Sequence, residues 1–202
     1  ASLMLEIAKG ALEPEARAAL WRPHVVRAAD GRQRMQVQAV DDALRHDVDP
    51  AIRHRQLASG EIEVGDRGYA HRRGLGSVLA RGGSLVVRIN GHNLPLETPA
   101  GRPLKLVSWL RQIPAGQTAG RLVQVQTPDG CFAVRLVVRR LPRAAATAAR
   151  QRLKKASRKK GHTPSATSLA LAGCLVLVSK LPAATWSAAQ VVDLYRVRWQ
   201  VE

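Results

Sequence analysis

The sequence predicts an α/β protein, and three observations lead to that prediction. Between residues 20 and 89, short strand-like runs alternate with helix-like segments, which is the pattern of α/β folds. From residue 90 onward, Gly and Pro recur between further short strands. Hydrophobic residues make up 46% of the 202 residues, as expected for a chain that buries a core.

The first half of the chain predicts a hairpin, a helix and two further strands. An Asp-Gly pair between the runs 24–28 and 35–40 favours a tight β-turn. Residues 41–59 are charged and predict helix or loop. Residues 61–66 then predict a strand that ends in a turn, and residues 70–81 predict a helix that stops at a Gly pair. Residues 85–89 predict a further strand.

The second half predicts another hairpin, a buried strand and a final helix. Residues 122–126 and 132–138 flank Thr-Pro-Asp-Gly, which is a typical turn sequence. The apolar texture of 169–180 predicts a single buried strand. Ser187 and Gln190 have the spacing of a capping box, which predicts a helix that begins there and runs to residue 202.

Strong positive charge is the clearest functional signal in the composition. The chain has 32 Lys+Arg against 15 Asp+Glu, a net charge of +17, which predicts a polyanionic partner. No acidic residue occurs between Asp129 and Asp193, and the densest basic run lies within that interval at 150–160. Such a run is either a solvated linker or a nucleic-acid contact. The candidate contacts are Arg150, Arg152, Lys154, Lys155, Arg158, Lys159 and Lys160.

Other features exclude several classes of protein. No apolar run reaches the length of about 18 residues that a membrane-spanning helix needs, and no secretory signal is visible. Cys131 and Cys174 do not have the spacing of a metal site or a disulfide framework, so we expect both to be core thiols in a reducing compartment. Aromatic residues make up only 3%, too few for a base-stacking surface.

Two groups of residues could carry chemistry. Asp66 follows a predicted core strand and precedes a Gly turn, a place where a carboxylate can face a cleft. Tyr195, Arg198 and Glu202 have spacings of three and four, which place them on one face of the last helix. Taken separately, the first group also fits an ordinary turn, and the second fits an exposed Arg–Glu pair of small energy.

Together the two groups resemble a known family. Asp66-Arg-Gly-Tyr69 followed by Tyr195-x2-Arg198-x3-Glu202 is similar to the IS4 family of bacterial insertion-sequence transposases, whose motif is Tyr-x2-Arg-x3-Glu-x6-Lys. The resemblance extends over nearly the whole chain. It implies an acid-triad (DDE) enzyme with a ribonuclease H-like mixed-sheet core and a β-rich insertion before the last catalytic helix.

The resemblance also implies roles for individual residues. Asp66 and Glu202 would be catalytic carboxylates that hold two Mg²⁺ ions, a cofactor that prefers hard oxygen ligands. Tyr195 and Arg198 would bind a DNA phosphate near the scissile bond. The family's first Asp has no counterpart here, and Glu6 lies nearest its expected place as a third metal ligand.

The domain boundaries follow from the same resemblance. Residues 1–89 would form the first part of the core, 90–165 the insertion with its basic DNA-contacting run, and 166–202 the last strand and a truncated catalytic helix. The motif's Lys is absent, and the first Asp is replaced. We therefore expect a truncated or decayed copy that lacks autonomous cleavage activity.

The expected function is metal-dependent strand cleavage and transfer at insertion-sequence ends. The partner would be double-stranded DNA, with a homodimer in the synaptic complex, and the protein would be bacterial, cytoplasmic and nucleoid-associated. Three alternatives stay open. One is a non-enzymatic basic DNA-binding protein or repressor derived from a transposase, and another is an RNA-binding or ribosome-associated domain. The third is a hydrolytic nuclease on the same core, which would share the metal chemistry.

Overall fold

A computed structural model describes residues 21–29, 32–39, 61–89 and 94–197 of the chain. Within these ranges there are eight strands, five α-helices and one short 3-10 helix. The strands are β1 Trp21–Ala29, β2 Arg32–Ala39, β3 Glu61–Gly65, β4 Ser84–Arg88, β5 Leu96–Glu97, β6 Thr118–Thr127, β7 Gly130–Arg140 and β8 Cys174–Ser179. The helices are α1 Arg72–Ala80, α2 Leu106–Gln112, α3 Arg143–Lys159, α4 Ala166–Ala172 and α5 Ala188–Val197, and the 3-10 helix is Arg67–Tyr69.

All eight strands belong to one mixed sheet, in the order β2-β1-β3-β4-β8-β7-β6-β5. Strands β3 and β4 are parallel, with the helix α1 connecting them. The other neighbouring pairs are antiparallel. The predicted α/β class with a mixed sheet is therefore confirmed.

Side chains alternate between the two faces of the sheet and divide the core into two clusters. One cluster contains Leu85 and Val87 of β4 with residues of α1, α2 and α4. The other contains Val86 of the same strand with four residues of α5. The helices α1, α2 and α4 thus lie on one face, and α5 covers the opposite face.

Several local predictions are confirmed. Both hairpins form, since β1 pairs with β2 and β6 pairs with β7 in antiparallel register. The predicted strand at 61–66 corresponds to β3, and the predicted helix at 70–81 corresponds to α1. The strand predicted at 85–89 corresponds to β4. The capping box is present in both directions. Ser187 N donates to Gln190 Oε1 at 2.8 Å, and Gln190 N donates to Ser187 Oγ at 3.2 Å.

The prediction of one strand across 169–180 is wrong in its first part. Residues up to Ala172 form α4, and the strand β8 begins only at Cys174. Ser165 caps the helix, because its side chain accepts from Ser168 N at 3.1 Å. Short apolar runs do not distinguish a helix from a buried strand by periodicity, so the pattern of apolar residues does not locate this boundary.

The prediction that both cysteines are core thiols is wrong for Cys131. Cys174 is buried at the start of β8, whereas Cys131 is exposed near the start of β7. It lies next to the turn at Gly130, in the first part of β7, and the buried positions of this strand begin only at Val134.

Strands of the predicted core and of the predicted insertion are continuous in the sheet. Strand β8 lies between β4 and β7, so the hairpin β6–β7 extends the sheet that begins with β2. The domain boundaries at residues 89 and 165 stay a prediction. Among the described helices, none combines the length and the apolar character that crossing a membrane requires.

Candidate functional site

Asp66 lies at an edge of the sheet where two parallel strands end. It directly follows β3, and the register of the pair places Gly65 beside Val87 of β4. The next residues, Asp66 and Arg88, therefore lie side by side at the carboxyl ends of the two strands. In open α/β sheets, the carboxyl ends of parallel strands are the usual place for a binding site.

The backbone around Asp66 holds its carboxylate in place. Asp66 caps the 3-10 helix, and its Oδ1 accepts from Gly68 N at 2.8 Å. A Cβ at position 68 would lie 3.2 Å from Asp66 Oδ1, a tight contact. The absence of a side chain at Gly68 therefore leaves room for the carboxylate to fold back over the turn.

The Arg67 guanidinium lies within electrostatic range of three other site residues. Desolvation by burial lowers the pKa of Arg67, and the nearby Arg88 guanidinium lowers it further. Tyr195 and Asp66 act in the opposite direction and raise the pKa of Arg67. Two guanidinium groups, a phenol and a carboxylate thus share one small region of the sheet edge.

Tyr195 comes to this region on α5. Its side chain is fully buried and packs in one cluster with Ile62 and Val64 of β3 and Val86 of β4. The capping box fixes the start of its helix, and Arg135 of β7 donates from Nη1 to the Trp186 carbonyl just before it. In this arrangement a direct phosphate contact by Tyr195 would require the side chain to become exposed.

Three of the predicted site residues lie outside the described residues: Glu6, Arg198 and Glu202. Within the described ranges, no three side chains of His, Cys, Asp or Glu gather in a place that could hold a metal ion. Asp66 supplies one hard oxygen ligand of the class that Mg²⁺ prefers.

The basic run makes up most of helix α3. The helix places the basic side chains of the run on two different faces. Ala146 and Ser157 are its buried residues. At about 100° per residue, Arg152, Lys155 and Lys159 fall within about 60° of one another on the opposite, exposed face. Arg150, Lys154 and Arg158 form a second row, four residues apart, on the flank of the helix.

Arg150 differs from the other predicted DNA contacts because it holds two helices together. Its Nε donates to the Leu169 carbonyl of α4 at 3.1 Å, and its side chain is half-buried. A Cβ on Gly173 would lie 2.8 Å from its Nη2. The other six residues of the predicted set are exposed: Arg152, Lys154, Lys155, Arg158, Lys159 and Lys160.

Sequence reasoning assigned no role to Arg67 or Arg88. Arg67 was visible only as part of the Asp-Arg-Gly turn, and Arg88 only as a polar residue near the end of a strand. The signal that could have found them is the βαβ order around α1. It predicts a parallel pair, and the residues that follow two parallel strands meet at one edge.

Comparisons with known proteins identify the family to which this chain is similar. The family described as "Transposase DDE domain" matches residues 17–202. The chain is 32% identical over 148 residues to the putative transposase InsL for insertion sequence element IS186A of Escherichia coli strain K12. It has the same identity to the transposase for insertion sequence element IS421 of Escherichia coli. Each alignment covers 70% of this chain and 40% of the relative.

The chain thus spans about two fifths of the length of the curated relatives that it matches. The family match extends over all of the described residues and includes Asp66, Arg88 and Tyr195. On these grounds the chain belongs to the DDE-type insertion-sequence transposases.

Proposed function

We propose that this chain binds double-stranded DNA at insertion-sequence ends and carries part of a metal-dependent centre for strand cleavage and transfer. The observation that carries the proposal is the position of Asp66 beside Arg67, Arg88 and Tyr195 at the carboxyl ends of β3 and β4. We place this site in a ribonuclease H-like core of the IS4 type. The relatives are described as transposases of insertion-sequence elements, which supports DNA as the substrate.

Asp66, Glu202 and Glu6 are the residues that would hold Mg²⁺. When bound, such ions activate a nucleophilic oxygen and stabilise the leaving oxygen of a phosphodiester. Asp66 contributes an oxygen ligand that is already oriented by Gly68 N. Arg67 and Arg88 hold a DNA phosphate next to it, because guanidinium groups bind phosphate oxygens through paired N–H donors. Arg198 adds a third cation to this contact.

Tyr195 takes a supporting role in this proposal. Its phenol is buried, lies within electrostatic range of the Arg67 guanidinium and favours the charged form of that group. This assignment differs from the direct phosphate contact that the resemblance implies. A conservative Tyr195→Phe change would therefore weaken the phosphate contact through Arg67 while leaving the packing of α5 in place.

The exposed face of α3 provides most of the DNA affinity in this proposal. Arg152, Lys155 and Lys159 point away from the core, and the region 90–165 would grip the ends of the element through them. Phosphate contacts of this kind release counterions, so the affinity should fall steeply with salt, with a slope of about 0.9 per contact.

Binding of duplex DNA measured across a range of salt concentrations tests this part. Replacing Arg152, Lys155 and Lys159 together by Gln should weaken binding and reduce the salt slope by about one per lost contact. The matched control replaces Arg73, Arg102 and Lys105 by Gln, which removes the same charge from other exposed positions. Equal losses in the two triple variants would contradict a DNA contact by α3.

Cleavage assays with Mg²⁺ or Mn²⁺ test the catalytic part. The chain should bind duplex DNA without cutting it, because the family's first Asp has no counterpart here and Glu6 lies nearest its expected place. A Glu6→Asp change should allow cleavage, and adding Asp66→Asn should abolish it with binding unchanged. Cleavage by the unaltered chain would refute the proposal that it is an inactive copy. Cleavage by none of the variants would favour the alternative of a DNA-binding repressor.

A further inference from the structure

A cavity of about 280 Å³ lies on the face of the sheet opposite to α5 and Tyr195. Its volume is close to the lower end of the range of about 300–1,000 Å³ that small-molecule pockets occupy. Its walls come from helices α2, α3 and α4 and from the adjoining ends of β7 and β8. The lining side chains that matter here are Arg111, Arg140, Arg150 and Cys174.

Three guanidinium groups converge on this cavity. Arg140 lies at the end of β7 and donates from Nη1 to the carbonyls of Arg111, at 3.1 Å, and Ile113. Arg150 donates from Nε to the Leu169 carbonyl at 3.1 Å. These bonds fix the planes of the two groups and use a minority of the five N–H donors that each guanidinium has. Arg111 is exposed at the last turn of α2.

In the described part of the chain, none of these three cations forms an ion pair with an acidic side chain. Among the lining residues that the structure describes, none is acidic. Asp129 is the one acid in the sequence from residue 98 to residue 192, and it precedes β7 at the end opposite to Arg140. Ten residue steps along a strand separate Gly130 from Arg140, or about 33 Å.

The pKa of Cys174, which lies on the cavity wall, is affected by the charges of two of these arginines. Burial raises the pKa of the Cys174 thiol, and Arg140 and Arg150 act against that effect by favouring the thiolate. The positive potential of both groups therefore reaches the cavity wall. Bringing three cations together costs repulsion energy, and an anion bound among them removes that cost.

We propose that this cavity is a binding site for a phosphate group. The planar guanidinium forks of Arg111, Arg140 and Arg150 match tetrahedral oxyanions, which accept paired N–H donors. The group can be a phosphate of a DNA backbone or a free phosphate. Because the cavity and Asp66 lie on opposite faces of the sheet, DNA held here is a second contact and does not depend on catalysis at Asp66.

Titration calorimetry with inorganic phosphate and with pyrophosphate tests the site directly. The unaltered protein and Arg102→Gln should bind one anion per chain, and Arg111→Gln should bind it about tenfold more weakly, as expected for the loss of one charge-assisted contact. Arg111→Gln keeps the backbone carbonyl that Arg140 uses. A circular dichroism spectrum identical to that of the unaltered protein checks its fold.

Duplex DNA binding by the same variants identifies the source of the phosphate. A larger loss in Arg111→Gln than in Arg102→Gln indicates a backbone phosphate, with or without measurable binding of the free anions. If phosphate binding depends on Arg111 but the two variants bind DNA equally well, the ligand is a free phosphate. This conclusion would stand even if the chain bound no DNA. Absence of anion binding together with equal DNA affinities would overturn the proposal.

Discussion

At the scale of single residues, the sequence located the carboxylate but not its cationic neighbours. Asp66 could be singled out because a strand pattern ends immediately before it and a Gly turn follows. Arg67 and Arg88 are 21 residues apart, and they meet only because β3 and β4 pair in parallel. Strand pairing is a long-range property that local periodicity does not carry, so their association required the fold.

The two cysteines give a prediction at this scale. Cys131 is exposed, whereas Cys174 is buried and burial raises its pKa, which leaves less thiolate at pH 8. Iodoacetamide should therefore modify Cys131 at least about tenfold faster than Cys174, as followed by mass spectrometry. Cys131→Ser should leave only the slow reaction and Cys174→Ala only the fast one. Comparable rates at the two thiols would show that the β7 end bearing Cys131 is covered.

At the scale of elements, sequence signals worked where a few adjacent residues determine the structure. The Asp-Gly and Thr-Pro-Asp-Gly turns and the capping box at Ser187 act within four residues, and all three predicted elements are present. The prediction missed the boundary between α4 and β8, because runs of Leu and Ala occur in helices as well as in buried strands. Gly173 is the single residue between the two elements. The two faces of α3 could not be assigned without knowing which residues pack on α4.

The capping box predicts a measurable contribution to the stability of α5. Ser187→Ala removes the acceptor of Gln190 N and should lower the free energy of unfolding by about 1 kcal/mol. Urea denaturation monitored by circular dichroism measures this change. Ser187→Thr keeps the hydroxyl and serves as the control, with a loss of less than half that size. Equal losses in the two variants would show that the hydroxyl bond contributes nothing.

At the scale of the whole molecule, the sheet connects segments that the sequence suggested as separate. Strand β8 follows the basic helix in sequence but pairs with β4 on one side and β7 on the other. The region 90–165 therefore shares its hydrogen bonding with the segments before and after it. This insertion of a late strand between earlier ones has no local sequence signal, so the order of strands could not be predicted from the motifs alone.

Gly76 allows a test of whether the sheet unfolds as one unit. It lies on α1, and a Cβ there would be 2.4 Å from Asp129 Oδ2 and 2.6 Å from Thr127 Oγ1, at the turn between β6 and β7. The Thr127 hydroxyl also donates to the Gly130 carbonyl at 2.9 Å, so this turn cannot move without losing a bond. Gly76→Ala should therefore cost about 1–3 kcal/mol, as overpacked sites do.

The measurement is urea unfolding followed both by tryptophan fluorescence and by circular dichroism. If α1 and the hairpin β6–β7 belong to one cooperative unit, Gly76→Ala shifts a single transition, which has the same midpoint with both probes. Arg73→Ala changes an exposed residue on the same helix and should change the free energy of unfolding by less than about 0.5 kcal/mol. Two separate transitions, of which only one responds to Gly76→Ala, would instead show that region 90–165 folds independently. The contact of α1 with the turn would then be a docking surface between two domains.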